Sequence, residues 1–417
     1  MSPIPDGELT GRYGSPLYVY DLDRVTAARD ALYAALPDGF TLFYSLKANP
    51  HPGIVRALRE GDRPCRAEVC STGELASALE AGHEPAAVLY SGPGKTAAEM
   101  AVALDAGVRT FSVESPGDLR RLGAVAHGRG IRAQVLIRVN SAAAAATTSI
   151  RMTGTPSQFG FDAEGLPEVL PELLAVPGVE VVGAHFFPLS NSKDEDSLIA
   201  EFEATIASAA RLEAELGLPL RMLDIGGGFA APYSVPGERP VYGRLRAALE
   251  KALDEHLPRW RQGGIEIACE SGRYLVGVSG RLLTTVTNVK ESRGRTFAIL
   301  DAGINTLGGM AQPGTAAAAG RRAPRGGRGG HRERDGLPRR PAVHARRPAL
   351  PVRQDARAPA RRRHRRAERR RVRAHRQPPH LPRPSGPRRG PHPRRRGRLR
   401  LAPGLFPRRH HHWSSVI

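Results

Sequence analysis

Short apolar runs alternate with longer stretches carrying apolar residues at helical spacing from residue 15 to about 303. SPLYVYDL (15–22) reads as a strand, and RVTAARDALYAAL (24–36) as a helix with one apolar face. FTLFYSL (40–46), PGIVRALREG (52–61), AEVCS (67–71) and TGELASALEAG (72–82) repeat the pair; the last opens at Thr72, with an acid at Glu74, and stops at Gly82. The rhythm continues through AVLYSG, AAEMAVALDAG, TFSVES, DLRRLGAVAHGRG, AQVLIRVN, VEVVGAHFF, the long DSLIAEFEATIASAARLEAELG, RMLDIGGG and IEIACESGR. Strands separated by helices in this way predict parallel βαβ units. Their number and span suit a TIM (β/α)8 barrel, and the pattern alone leaves a doubly wound sheet open. Past Arg273, YLVGVSGRLLTTVTNVKES and RTFAILDAG read as consecutive strands, which predicts a second, β-rich, Greek-key-like domain sharing SPLYVYDL. The expected organisation is a β-domain strand in 1–24, the barrel in 25–275, an incomplete continuation of the β-domain in 276–310, and a tail in 311–417.

Charge changes the picture of that tail. The net charge of +21 suggests a nucleic-acid binder until the chain is divided. Residues 311–417 hold 32 Arg, no Lys and four acids, whereas residues 1–310 hold 30 basic against 37 acidic residues. The body is therefore mildly acidic. The tail contains sixteen Pro, no Cys and no Tyr, a composition that does not build a packed sheet. Three readings apply: a nucleic-acid arm, a plain disordered extension, or GC-rich coding DNA read out of frame from near residue 310. RGGRGG (325–330) and RRRHRRAERRR (361–371) favour the arm, but only Phe406 and Trp413 could stack on bases. Arg, Pro, Ala, Gly and His almost without Lys is what a frame change yields, and this is the preferred reading. His410, His411 and His412 are then no metal site.

Cys65, Cys70 and Cys269 fit neither a disulfide framework nor a zinc site, so a reducing cytoplasm is expected, with Cys70 and Cys269 as small buried hydrophobes. The N-terminal MSPIPDGELTGRYG lacks a basic stretch leading into an apolar run, and no stretch is long enough to span a bilayer.

In a barrel, functional groups sit where strands end. Those positions are Lys47, Glu68, Arg138-Val139-Asn140, His185, Gly226–Gly228 and Glu270-x-x-Arg273. Lys47 is one of five lysines and follows an aromatic strand directly. Desolvation there would lower its pKa, as in Schiff-base lysines. The three glycines would let backbone N–H groups approach a phosphate, although a Gly-rich strand end is as often a tight turn. GPGKT (92–96) is not a P-loop, because Leu89 stands where the motif needs glycine, and Lys95 is expected on a surface loop. A lysine, a glycine run and an acid–arginine pair together suggest a phosphorylated carbonyl cofactor. A structural ion pair would explain Glu270 and Arg273 equally well.

FYSLKANP, AEVCSTGEL, SQFGFD, DIGGGF, ESGR and DAGINTL, in that order, resemble the barrel-type (fold type III) pyridoxal-phosphate decarboxylases. That family includes diaminopimelate, ornithine and arginine decarboxylases, and alanine racemases share its fold. The resemblance covers about residues 15–310 and implies pyridoxal 5'-phosphate bound to Lys47 as a Schiff base. It implies Glu270 at the ring nitrogen, Gly226, Gly227, Gly228 and Arg273 at the phosphate, and Glu68 near the ring edge. It also implies an amino-acid substrate that loses carbon dioxide, and a homodimer where the β-domain is complete; a racemase would remove a proton instead.

Two departures stand out. The family writes G-x-H-x-H-x-G-S-Q with a His stacked on the ring; here His185 is kept and Phe187 takes the second place, able to stack but not to titrate. Drift of a core residue or a divergent subgroup with another substrate would account for it. The family's later β-domain also supplies a Cys loop and a Tyr, neither of which residues 311–417 contain. Impaired decarboxylation is therefore expected. The alternatives are a racemase or an inactive cofactor-binding chain with an Arg-rich arm.

Overall fold

The computed structural model describes residues 4–140, 157–232 and 237–306; the tail lies outside them. Eight strands alternate with helices along the chain: β2 (Thr41–Ser45), β3 (Arg66–Val69), β4 (Leu89–Tyr90), β5 (Thr110–Val113), β6 (Ala133–Asn140), β8 (Val179–Phe186), β9 (Met222–Asp224) and β10 (Glu266–Ser271). All pair in parallel in the order β5-β4-β3-β2-β10-β9-β8-β6, and a further β5–β6 pairing closes the ring. The sheet is thus a TIM barrel, and the doubly wound alternative is excluded. A two-residue strand, β7 (Phe161–Asp162), pairs in parallel with the end of β6, past the last residue that β5 pairs.

The connecting helices are α2 (Leu22–Ala34), α3 (Pro52–Arg59), α4 (Thr72–Glu80), α5 (Ala97–Ala106), α6 (Pro116–His127), α7 (Leu166–Leu174), α8 (Glu195–Leu216) and α9 (Leu245–His256). Side-chain caps start many of them. Asp21, Ser71, Thr96, Ser115 and Asp194 each accept a backbone N–H of the first turn, and Thr96 with Glu99 forms a full capping box. The cap of α4 is Ser71, one residue before the expected Thr72. Leu32, Leu58, Leu104, Leu122 and Ile206 bury the inner helix faces against outward strand residues such as Leu42, Tyr44 and Phe111.

Inside the barrel, a separate apolar layer of Phe43, Leu89, Leu136, Val182, Met222 and Ala268 fills the base. Side chains two residues on share the same face of a strand. The next inward positions are Ser45, Ser91, Arg138, Asp224 and Glu270. The lumen therefore changes from apolar to polar and charged in one step along the strands.

Outside the barrel, α1 (Asp6–Tyr13) precedes β1 (Leu17–Tyr20), which pairs antiparallel with β11 (Gly280–Leu283) after the short α10 (Arg273–Val276). An antiparallel hairpin follows, β12 (Val286–Ser292) with β13 (Arg295–Leu300). Asp301, from the DAGINTL stretch, accepts from the Thr284 hydroxyl at 2.6 Å, the Thr285 N–H at 3.0 Å and the Ser15 hydroxyl, tying the hairpin to β1. No helix among the described residues is long and apolar enough to cross a membrane.

Candidate active site

Lys47 sits on a single 3-10 turn (Leu46–Ala48) immediately after β2, so its side chain enters the barrel mouth. Its Nζ donates to both oxygens of Glu68, at 2.8 and 3.0 Å, and stands 4.0 Å from Cys70 Sγ. Glu68 is fully buried and also accepts from Cys70 Sγ at 3.2 Å and from the Ser91 hydroxyl. Burial alone would raise the Glu68 carboxyl, but Lys47 and the hydroxyl donors outweigh it and hold it at about 2.

The expectation that desolvation lowers the Lys47 pKa is overturned. Its side chain is 47% exposed, and the opposing charges of Glu68 and Glu270 outweigh burial, so the ammonium is held above the ordinary lysine value. Cys70 is also not a core residue. It is half-buried inside this cluster, where burial first and Glu68 second push its thiol up to about 12. Cys269 is in the core as expected.

A second cluster forms where β8, β9 and β10 end. Asp224, Glu270 and His185 are all buried, and their ligand-type atoms lie within 4.8 Å of one another. His185 Nδ1 is 2.7 Å from the Ser112 hydroxyl, and its Nε2 is 3.3 Å from Glu270 Oε1 without hydrogen-bond alignment. His185 Nε2, Glu270 Oε1 and Asp224 Oδ2 are left without hydrogen-bond partners. Orphaned buried polar atoms are rare; three together suit a polar ligand group. Burial, then the Glu270 charge, pushes the Asp224 carboxyl up to about 7, with His185 acting in the opposite sense.

The glycine run is a tight turn welded to this cluster. Gly226 has φ +79°, and a Cβ there would strike the Phe186 carbonyl; a Cβ on Gly227 would come within 2.6 Å of the Glu270 carbonyl. Asp224 Oδ1 accepts the Gly226 N–H at 2.8 Å, and the Gly226 carbonyl accepts from Glu270 N at 2.9 Å. Gly226 therefore supplies the turn, which leaves Gly227 and Gly228 as the members whose N–H groups can meet an anion. Behind them, Gly228 O accepts from Ser192 N at 2.8 Å, and the Tyr242 hydroxyl accepts from Ala230 N at 2.9 Å. Phe229, Tyr242 and Tyr274 pack ring to ring beneath the turn.

Phe187, one residue past β8, roofs the space between the clusters. Its ring lies 5.8 Å from Lys47 Nζ and 5.7 Å from the Arg138 guanidinium. Arg138 is anchored by Glu114 at 3.0 Å. Arg273 is half-buried at the start of α10, three residues beyond Glu270. Lys47, Glu68, His185, Phe187, the glycines, Glu270 and Arg273 thus all occupy the C-terminal end of the barrel. Asp224, Ser112, Glu114, Ser91 and Cys70 join them unannounced, although Asp224 stood within DIGGGF. Lys95 is the clearest correction. It is buried, paired with Asp118 at 2.9 Å and donating to the Ser112 carbonyl at 2.9 Å, because the loop folds back over β5.

Known proteins resemble this chain in sequence and in fold. Residues 22–277 match the family model described as "Pyridoxal-dependent decarboxylase, pyridoxal binding domain". The chain is 34% identical over 305 residues to a diaminopimelate decarboxylase of Methanothermobacter thermautotrophicus, covering 72% of this chain and 69% of that one. It is 29% identical over 301 residues to the L-glutamyl-[BtrI acyl-carrier protein] decarboxylase of Niallia circulans, covering 71% and 69%. Among solved structures, the diaminopimelate decarboxylase of Helicobacter pylori complexed with L-lysine superposes with a TM-score of 0.62 at 30% identity, covering 72% and 74%.

Proposed function

The chain belongs to the pyridoxal-dependent decarboxylases, and on that footing we propose that the polar end of its barrel is the cofactor half of an amino-acid decarboxylase site, with diaminopimelate the first substrate to try. One observation carries the reading. A charged lysine, a turn that only glycine can make and an orphaned buried carboxylate converge on the mouth of one barrel. These residues fit pyridoxal phosphate. Lys47 would hold its carbonyl carbon, Glu270 and His185 its ring nitrogen edge, and Gly227, Gly228 and Arg273 its phosphate, with Gly226 making the turn and Phe187 covering a face. When bound, the cofactor supplies an electron sink for the charge left on the substrate when carbon dioxide departs.

The residues' own work follows from their charges. Glu270, buried and with Oε1 unpartnered, is placed to accept from a protonated ring nitrogen at no reorganisation cost. Lys47 Nζ must lose a proton before it can act as a nucleophile. Its side chain is 47% exposed, which gives that proton a path to solvent. The Arg138 guanidinium and the Phe187 ring lie against each other beside Lys47.

Turnover is proposed to be impaired. The resemblance places a Cys loop and a Tyr of the site after DAGINTL, and residues 311–417 contain neither. Purified chain titrated with pyridoxal phosphate is expected to gain a visible absorbance band that is absent in Lys47→Ala. Absence of any band in the wild-type chain overturns the cofactor reading. Release of carbon dioxide from diaminopimelate at the rate of a full-length relative, with the tail sequence confirmed, overturns the impairment.

A further inference from the structure

Asp224 and Glu270 are 0% and 2% exposed, with carboxylate oxygens inside the 4.8 Å cluster they share with His185. Two carboxylates this close in a low dielectric do not both ionise readily at neutral pH; pairs of this kind retain a proton. The surroundings decide which one keeps it. Glu270 faces His185 at 3.3 Å from β8 and feels Lys47 from the turn after β2. Asp224 on β9 faces Glu270 of β10 and His185 of β8 and feels the charge of Glu68 of β3. Its Oδ1 is satisfied by the Gly226 N–H, while Oδ2 has no partner, which is a place for a hydroxyl hydrogen.

We propose that Asp224 is a positioning residue for Glu270: it carries a proton on Oδ2 in the neutral-pH protein, so that the Asp224–Glu270 pair places one negative charge rather than two at the floor of the site. The neutral acid lets the Gly226 turn and Glu270 pack against each other without a second negative charge. The benefit to cofactor binding rests on the reading of Glu270 given above, whereas the proton itself does not.

Asp224→Asn is the neutral mimic, with an amide NH2 in place of the hydroxyl and an oxygen still able to accept from Gly226. Thermal and urea unfolding of the cofactor-free full chain are compared between about pH 5 and 8. Wild type is expected to lose stability relative to Asp224→Asn as pH rises, since a raised folded-state pKa gives stability present at low pH and lost through the folded titration. The difference amounts to at most about tenfold in the unfolding constant per pH unit. Parallel profiles overturn the proposal, and so does a difference that a chelator abolishes, because a bound cation would then hold the pair. Should Asp224→Asn fail to fold, infrared spectra of the wild type decide: a protonated-carboxyl band persisting near about pH 6 supports the proton, and its absence refutes it. If the wild type shows no visible band with pyridoxal phosphate, the functional reading fails, while the stability profiles still judge the proton.

Discussion

Replacing Lys47 by Met removes the cation that Glu68 meets at 2.8 Å and leaves a fully buried carboxylate with Ser91, Ser45 and Cys70 as side-chain donors. The Glu68 carboxyl stands at about 2 against an ordinary 4.5, a difference worth about 3 kcal/mol at face value. Lys47 is 47% exposed, so solvent screening leaves roughly 1–2 kcal/mol. The sign is fixed by the depressed pKa. In the wild type this stability is complete above the unfolded carboxyl's pKa and disappears as pH falls from about 4.5 toward 2. In Lys47→Met burial governs, the folded carboxyl titrates above the unfolded one, and the contribution reverses, so stability from this group falls as pH rises. Urea unfolding at about pH 3 to 7 of wild type, Lys47→Met, Glu68→Gln and the double variant reads both effects. Lys47→Met should cost more at neutral pH than the same change in the Glu68→Gln background, because neutral Gln needs no cation. An acid limb for Lys47→Met parallel to the wild type, or strict additivity of the two changes, would refute the pairing as the source of the shift.

Gly226→Ala combines a left-handed φ of +79° with a collision against the Phe186 carbonyl. It should cost about 2–4 kcal/mol in denaturant unfolding and weaken retention of pyridoxal phosphate, as judged by dialysis and absorbance. Lys95→Ala strands Asp118, 3% exposed, without its 2.9 Å partner. A loss of about 3 kcal/mol, read as a lower unfolding midpoint, is expected although Lys95 is no part of the proposed cofactor site. Phe187→His should add a titrating group beside Lys47 and Arg138, whose positive charges lower its pKa. The cofactor band of that variant should acquire a pH dependence below about pH 6.5 that the wild type lacks.

The sequence by itself determined which residues reach the end of the barrel. Strand alternation is a property of two neighbouring positions, and a βα unit turns within a few residues of its strand. Lys47 after FTLFYSL, Glu68 in AEVCS, His185 in VEVVGAHFF and Glu270 in IEIACESGR therefore declared their places locally. The order of FYSLKANP, DIGGGF and ESGR then made the family legible, as the later match over residues 22–277 bears out. What only tertiary structure decided depends on groups far apart in the chain. The ring also needed β10 against β2, elements separated by more than two hundred residues, and no local period reports that contact. Lys95 read as a surface lysine because nothing near it in sequence says that the Ser112 carbonyl and Asp118 wait behind the loop. Asp224 read as one letter of DIGGGF; its charge is set by Glu270 and His185 on neighbouring strands. The direction of the Lys47 shift was misjudged for the same reason, since burial is a tendency of a residue's surroundings in general. A carboxylate at 2.8 Å is a fact of one particular fold, and at that distance it outweighs the burial.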